Sequence, residues 1–272
     1  MTMPSGFPVD PPHPQQTTWE QVDITKASTA RMYDYYLGGK DNFPADREAA
    51  EQVISVMPDV GIYARGNREF LRRSVRFVAE QGIDQFIDLG TGIPTVGPTH
   101  EVAQEARPGA HIAYVDNDPV VLVHARALLK SLGDARTVGY VDHDISDPHG
   151  LLAAQGMREL IDFTRPVGVF FIGVVHFIED PSFVIDTVMR AVPPGSWLAI
   201  SAIGDVTSAR RATRAYENAT SQLRPRPVSE IEELFHGVEL VEPGVVQLHE
   251  WRPDEDARNE CPVGFGGVGI KR

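Results

Sequence analysis

The chain has 272 residues, more than one small domain needs and fewer than two ordinary ones, which points to one elaborated domain with appendages. Hydrophobic residues at 42% and charged residues at 23% give the composition of a globular protein, not of a disordered or fibrous one. With 25 Lys plus Arg against 38 Asp plus Glu, the net charge of −13 argues against general binding to nucleic acid or to anionic membranes.

The single cysteine, Cys261, leaves no internal disulfide and no thiolate-rich zinc site, which fits a reducing cytoplasm. The most apolar run, Val167 to Ile178, is shorter than the roughly 20 residues a bilayer span requires. The stretch Met1 to Thr18 lacks the pattern of a secretory signal, so a soluble, cytoplasmic protein is expected. In chain order, residues 1–18, with Pro4, Pro8, Pro11, Pro12 and Pro14, read as a flexible arm. Residues 19–82 read as a helical lead-in. Ala30 to Leu37 runs into the stop signal Gly38–Gly39, and Asn67 to Gln81 is a periodic helix closed by Gly82. Over residues 83–272 short β-rich runs alternate with helical segments, the pattern of a parallel sheet covered on both faces. The runs are Gln85 to Leu89, His111 to Val115, Val138 to Val141, Val167 to Val175 and Trp197 to Ile203. Asp118–Pro119 and Asp147–Pro148 mark helix starts, and Ser229 with Glu232 reads as a capping box. Val245 to Leu248 and Val263 to Ile270 read as an antiparallel hairpin at one sheet edge.

The chemistry is signalled at Phe86–Ile87–Asp88–Leu89–Gly90–Thr91–Gly92–Ile93–Pro94, an apolar strand that ends in an acid and runs into a glycine turn. Gly90 and Gly92 allow a tight turn and a close approach of backbone to ligand, just beyond the strand's carboxyl end. The next strand ends in Asp116, placed to accept from both hydroxyls of a ribose. A dinucleotide site would carry a third glycine here, and Asp88 puts negative charge where phosphates would sit. The pattern therefore favours a cofactor that has no phosphate and carries a positive charge, S-adenosylmethionine. Past the third strand, Asp144 can accept from an adenine amino group, because Asp147 is already explained as a helix cap. The fourth strand delivers Gly173, His176 and Phe177 to the same edge.

Asp88–Leu89–Gly90–Thr91–Gly92, Asp116, Asp144 and the apolar fourth strand resemble the class I S-adenosylmethionine-dependent methyltransferases over roughly residues 83–272. The strings Arg31 to Phe43, Asn67 to Arg73 and Tyr114 to Val121 resemble, more narrowly, an actinobacterial family of S-adenosylmethionine methyltransferases of unknown substrate. The resemblance implies a Rossmann-like α/β fold, a seven-stranded, mostly parallel sheet with helices on both faces, the last strand antiparallel and an N-terminal helical lid. It also implies cofactor across the ends of the first, second and fourth strands. Asp88, Gly90, Thr91, Gly92 and Gly173 would lie on the methionine side, Asp116 at the ribose, and Asn117, Asp144 and Ile145 at the adenine. Pro94 departs from the superfamily's third glycine.

Methyl transfer asks for in-line positioning and, for an acidic nucleophile, a base. His176 and Tyr36 are the catalytic candidates, and Tyr33, Asp34, Tyr35, Tyr36 and Lys40 the lid candidates. Strand alternation sends His143 away from Asp142 and Asp144, so no metal site is expected. Arg68, Arg72 and Arg76 share a helix face that reads as solvated, although Arg65 or Arg68 could reach the cofactor's carboxylate. A small-molecule acceptor is expected, with no nucleic-acid or membrane partner. Two other readings stay open: a non-catalytic protein that binds S-adenosylmethionine or S-adenosylhomocysteine, and an NAD-dependent oxidoreductase.

Overall fold

The structure is a computed structural model that describes residues 22–94, 97–131, 137–254 and 260–272. The expected arm over residues 1–18 lies outside the described residues. Three helices come first: α1 (Thr29–Tyr36), α2 (Pro44–Val56) and α3 (Val60–Glu80). Ser28 caps α1 with its hydroxyl, and Gly38, at φ 78°, carries the chain away from its end. Helix α2 was not anticipated. Phe43 stands at its cap, and the N-cap N–H is instead satisfied by Asp46 three residues on, at 2.8 Å. Helix α3 begins at Val60 and not at Asn67; Gly61 and Gly66 had weakened the helical pattern there.

The remaining elements are β1 (Gln85–Leu89), α4 (Thr99–Ala106), β2 (His111–Asp116), α5 (Pro119–Ser131), β3 (Val138–Asp142), α6 (Pro148–Ala153), α7 (Gln155–Leu160) and β4 (Gly168–Ile172), then α8 (Pro181–Ala191), β5 (Trp197–Ile203), α9 (Thr207–Ala212), α10 (Val228–Glu233), β6 (Glu239–Leu240), β7 (Val246–Gln247) and β8 (Gly264–Ile270). Strands β1 to β5 are parallel and the order is β3-β2-β1-β4-β5-β8-β6, with β7 also paired to β8. The sheet thus has eight strands instead of seven, because two two-residue strands share β8 as their partner. The expected hairpin forms between β7 and β8, yet β8 lies inside the sheet, antiparallel to β5 along its whole length. The Ser229–Glu232 capping box does not form. Pro227 occupies the cap of α10, which puts Ser229 inside the first turn.

Successive strand residues face opposite layers. Phe86, Ile112, Tyr114 and Phe170 pack with Phe70, Leu71, Val75 and Val78 of α3, while Ile87, Ala113, Val115, Val169 and Phe171 pack with Val184, Ile185 and Val188 of α8. Each large side chain so buried contributes about 1.5 to 3 kcal/mol. Helix α3 therefore forms a core layer against the sheet. Among the described residues, no helix is long and apolar enough to cross a membrane.

Candidate cofactor site

A cavity of about 380 Å³ opens beyond the carboxyl ends of β1, β2, β3 and β4, where the strand order reverses between β1 and β4. Its floor is Gly90, Thr91 and Gly92 after β1, Asp116 to Pro119 after β2, His143 to Ser146 after β3, and Ile172 to Val174. Across from these stand Thr29, Ala30 and Tyr33 of α1, Asn67 and Arg68 of α3, and Phe177, Ile178, Thr220 and Ser221. Of the nine residues expected to hold cofactor, all but Asp88 line this cavity.

The glycine turn is built by β2. The N–H groups of Gly90 and Thr91 donate to the Val115 carbonyl at 2.9 and 3.2 Å, and the Gly92 N–H donates to Asp116 Oδ2 at 2.8 Å. Gly90 has φ 69°, and a Cβ there would lie 2.4 Å from the Val174 side chain. Asp116 Oδ1 accepts from the Asp118 N–H at 2.9 Å. Desolvation raises the Asp116 carboxyl to about 6, against the pull of the Asp118 and Gly92 N–H groups. Asp144 accepts from the Ser146 N–H at 2.8 Å and is exposed, beside the half-buried Ile145.

Asp88 takes a different place. Its side chain falls on the Phe86 face of β1, where it is 4% exposed and accepts from the Thr99 hydroxyl at 2.6 Å. Burial raises its pKa, while the Thr99 hydrogen bond and the Arg68 charge lower it. It braces the segment after the turn without reaching the cavity wall. His143 and Asp144 both line the cavity, contrary to strand alternation, because β3 ends at Asp142.

Neither catalytic candidate lines the cavity. Gly173, at φ 71°, ends β4 early and leads into a 3-10 turn over Val175–Phe177, which turns His176 inward and Phe177 toward the cavity. His176 is 1% exposed, its Nδ1 accepts from the Ile203 N–H at 3.3 Å, and burial with the Arg226 charge lowers its pKa to about 3. Its imidazole is therefore neutral near pH 7. Tyr36 is buried with its hydroxyl 3.1 Å from that of Tyr216, and burial raises its pKa. The expected lid string is a closed turn. Asp34 accepts from the Asp41 N–H at 2.9 Å and from Asn42 Nδ2 at 2.8 Å, and Tyr33 alone of the lid candidates faces the cavity.

A chain of hydrogen bonds holds the end of β4. The Gly173 N–H donates to Ser201 Oγ at 2.9 Å, Ser201 donates to Asn67 Oδ1, Asn67 Nδ2 donates to the Tyr33 hydroxyl at 3.0 Å, and Tyr33 donates to the Ala64 carbonyl at 2.9 Å. Sequence reading missed Asn67, Thr220 and Ser221 as site residues. Only tertiary packing brings them here, and no local pattern marks them. A Cβ on Gly173 would lie 2.7 Å from Asn67 Nδ2. Gly173→Ala is therefore expected to cost about 1 to 2 kcal/mol through the left-handed backbone alone, read as a lower urea midpoint. An unchanged midpoint would show that the turn relaxes freely.

Strand order, glycine turn and a cleft at the switch point together define a Rossmann-like methyltransferase fold. The chain belongs to the S-adenosyl methyltransferase family, whose model matches residues 15–272. It is similar to a candidate methyltransferase from Thermobifida fusca, at 39% identity over 92% of this chain and 97% of that one, with a TM-score of 0.86. It is equally similar to a DUF574 family protein from Streptomyces avermitilis, at 38% identity over 93% and 100% of the two chains, TM-score 0.86. The fold is shared with the plantazolicin methyltransferase BamL, solved in complex with SAH, at 12% identity over 89% of this chain and 95% of that one, TM-score 0.52. Among curated proteins, none matches.

Proposed function

We propose that the chain transfers a methyl group from S-adenosylmethionine to a small-molecule acceptor, with cofactor in the cavity above the glycine turn. The observation that carries this reading is the convergence of the Gly90–Gly92 turn, Asp116, Asn117, Asp144, Ile145 and Gly173 on one cavity wall. Asp116 is held by two backbone N–H groups with its carboxylate at the rim, placed to accept from ribose hydroxyls. Asn117, Asp144 and Ile145 border the adenine side, and Gly90, Thr91, Gly92 and Gly173 the methionine side. When bound, S-adenosylmethionine supplies an electrophilic methyl group on a sulfonium sulfur. The chain's own residues bind, orient and exclude water. Tyr33, Ala30 and Phe177 crowd the open side, and the Thr220 and Ser221 hydroxyls offer neutral partners for an acceptor. The acidic balance of the chain supports a small, non-polyanionic acceptor.

Calorimetric titration with S-adenosylmethionine, S-adenosylhomocysteine and NAD tests the reading. The two adenosyl ligands are expected to bind and NAD is not; binding of NAD alone, or silence for all three, overturns it. One observation favours a second reading, ligand binding without turnover: both catalytic candidates are turned away from the cavity. Release of S-adenosylhomocysteine across an acceptor panel separates the two, since a binding module releases none.

A further inference from the structure

We infer that the chain carries a second ligand site, for a small diphosphate-bearing anion, in a basic cleft between α2 and α9. A cavity of about 660 Å³ opens there, with Gln52 and Ser55 of α2 on one side and Thr207, Arg210, Arg211 and Arg214 on the other. It shares no lining residue with the cavity above the glycine turn, so it stands whatever that cavity binds. The sequence builds the basic wall. Over α9 and the 3-10 turn that follows it (Thr213–Tyr216), the buried positions include Ala209, Ala212 and Tyr216, at i, i+3, i+7 spacing. Arg210, Arg211 and Arg214 fall on the remaining surface and are exposed.

The chain as a whole has a net charge of −13, yet no Asp or Glu is among the described residues that line this cleft. Arg210 has its own counter-ion, Asp205, which accepts from two of its N–H groups. Arg211 and Arg214 have no side-chain hydrogen bond or ion pair among the described residues. Like charges three and four apart on one helical face repel, and a bound anion removes that repulsion. A guanidinium is a planar fork that meets phosphate or carboxylate oxygens two at a time. Two unpaired forks hold more donors than the two oxygens of one carboxylate can accept, whereas a diphosphate presents acceptors on two tetrahedral centres. The Gln52 amide and the Thr207 hydroxyl add neutral donors on facing walls. A long polyanion would meet the field of the chain's other acids, which favours a ligand small enough to stay within the cleft.

The test is calorimetric titration with pyrophosphate, at about 50 mM salt so that screening is weak. Three chains are compared: wild type, the double variant Arg211→Gln/Arg214→Gln, and Arg68→Gln, which removes the one Lys or Arg lining the other cavity. The wild type is expected to bind with a dissociation constant below about 1 mM. The double variant should bind about 10- to 100-fold more weakly, and each single variant about 3- to 10-fold. Both side chains are exposed, so the double variant should keep the wild-type urea midpoint; if it does not, the single variants give the reading. Arg68→Gln should stay within about threefold of wild type. Silence of the wild type up to about 10 mM, arginine variants that bind like wild type, or a loss confined to Arg68→Gln overturns the assignment. Citrate and polyglutamate, which offer carboxylates, should bind more weakly than pyrophosphate, and equal or tighter binding by either overturns the phosphate class.

Discussion

Asp46→Ala is expected to lower the unfolding free energy by about 3 to 5 kcal/mol, the cost of removing one partner from a buried ion pair. Arg31 and Asp46 have side chains only 3% and 0% exposed, with Arg31 Nε 2.8 Å from Asp46 Oδ2. The same carboxylate accepts from the Ser28 and Phe43 N–H groups, each at 2.8 Å. The substitution therefore strands a guanidinium and two backbone donors in the interior. The other Arg31 donors, spent on the Asp23 and Lys26 carbonyls at 3.0 and 2.6 Å, cannot turn to water without undoing the start of α1. Removing both charges, as in Arg31→Met with Asp46→Leu, takes away the stranded guanidinium but leaves the Ser28 and Phe43 N–H groups unmatched, so it should recover only part of the loss. Urea unfolding of the single and double variants checks this, and a loss below about 1 kcal/mol for Asp46→Ala would show that solvent reaches the pair. The consequence extends to function. Helix α1 brings Thr29, Ala30 and Tyr33 to the cavity, and Ser28 donates to Asp118 at its rim, so adenosyl-ligand affinity should fall along with stability.

What was legible in the sequence depended on how locally each feature was encoded. Strands β1 and β5 have the boundaries read from their apolar runs, because turn residues flank both. The cavity wall was legible for the same reason: Gly90 to Gly92, Asp116 and Asp144 lie at or just past strand ends, and a parallel sheet sends all strand ends to one edge. Helix α2 was missed because its cap is an aromatic residue and its amine is satisfied from within the helix. His176 was misplaced by a single residue's conformation. Gly173 at φ 71° stops β4 and leads into the 3-10 turn, where Phe177 lines the cavity while His176 is buried away from it. Asn67, Thr220 and Ser221 lie on segments far apart in sequence, and the Thr220 N–H reaches the Ala27 carbonyl only across the tertiary fold. No periodicity within one segment can encode such a meeting.

Asp116→Ala is expected to weaken binding of S-adenosylmethionine and S-adenosylhomocysteine by about 1 to 3 kcal/mol, because two ribose hydroxyls lose a charged acceptor in a desolvated cleft. The effect has a pH signature. The free carboxyl is raised to about 6, chiefly by desolvation, and only its ionised form accepts from both hydroxyls. Below that value, binding must first expel a proton, so affinity falls as pH drops and levels off above about 7. Between pH 7 and pH 5 the loss should be about tenfold, the factor by which the ionised fraction of such a group shrinks. The control is Asp116→Asn, which keeps the shape and removes this proton. Titrating S-adenosylhomocysteine into wild type and Asp116→Asn from pH 5 to 8 isolates the contribution. A slope that persists in the asparagine variant means that Asp116 is not the source of the pH dependence, and a wild-type affinity that is flat across the range means that Asp116 is not the ribose acceptor.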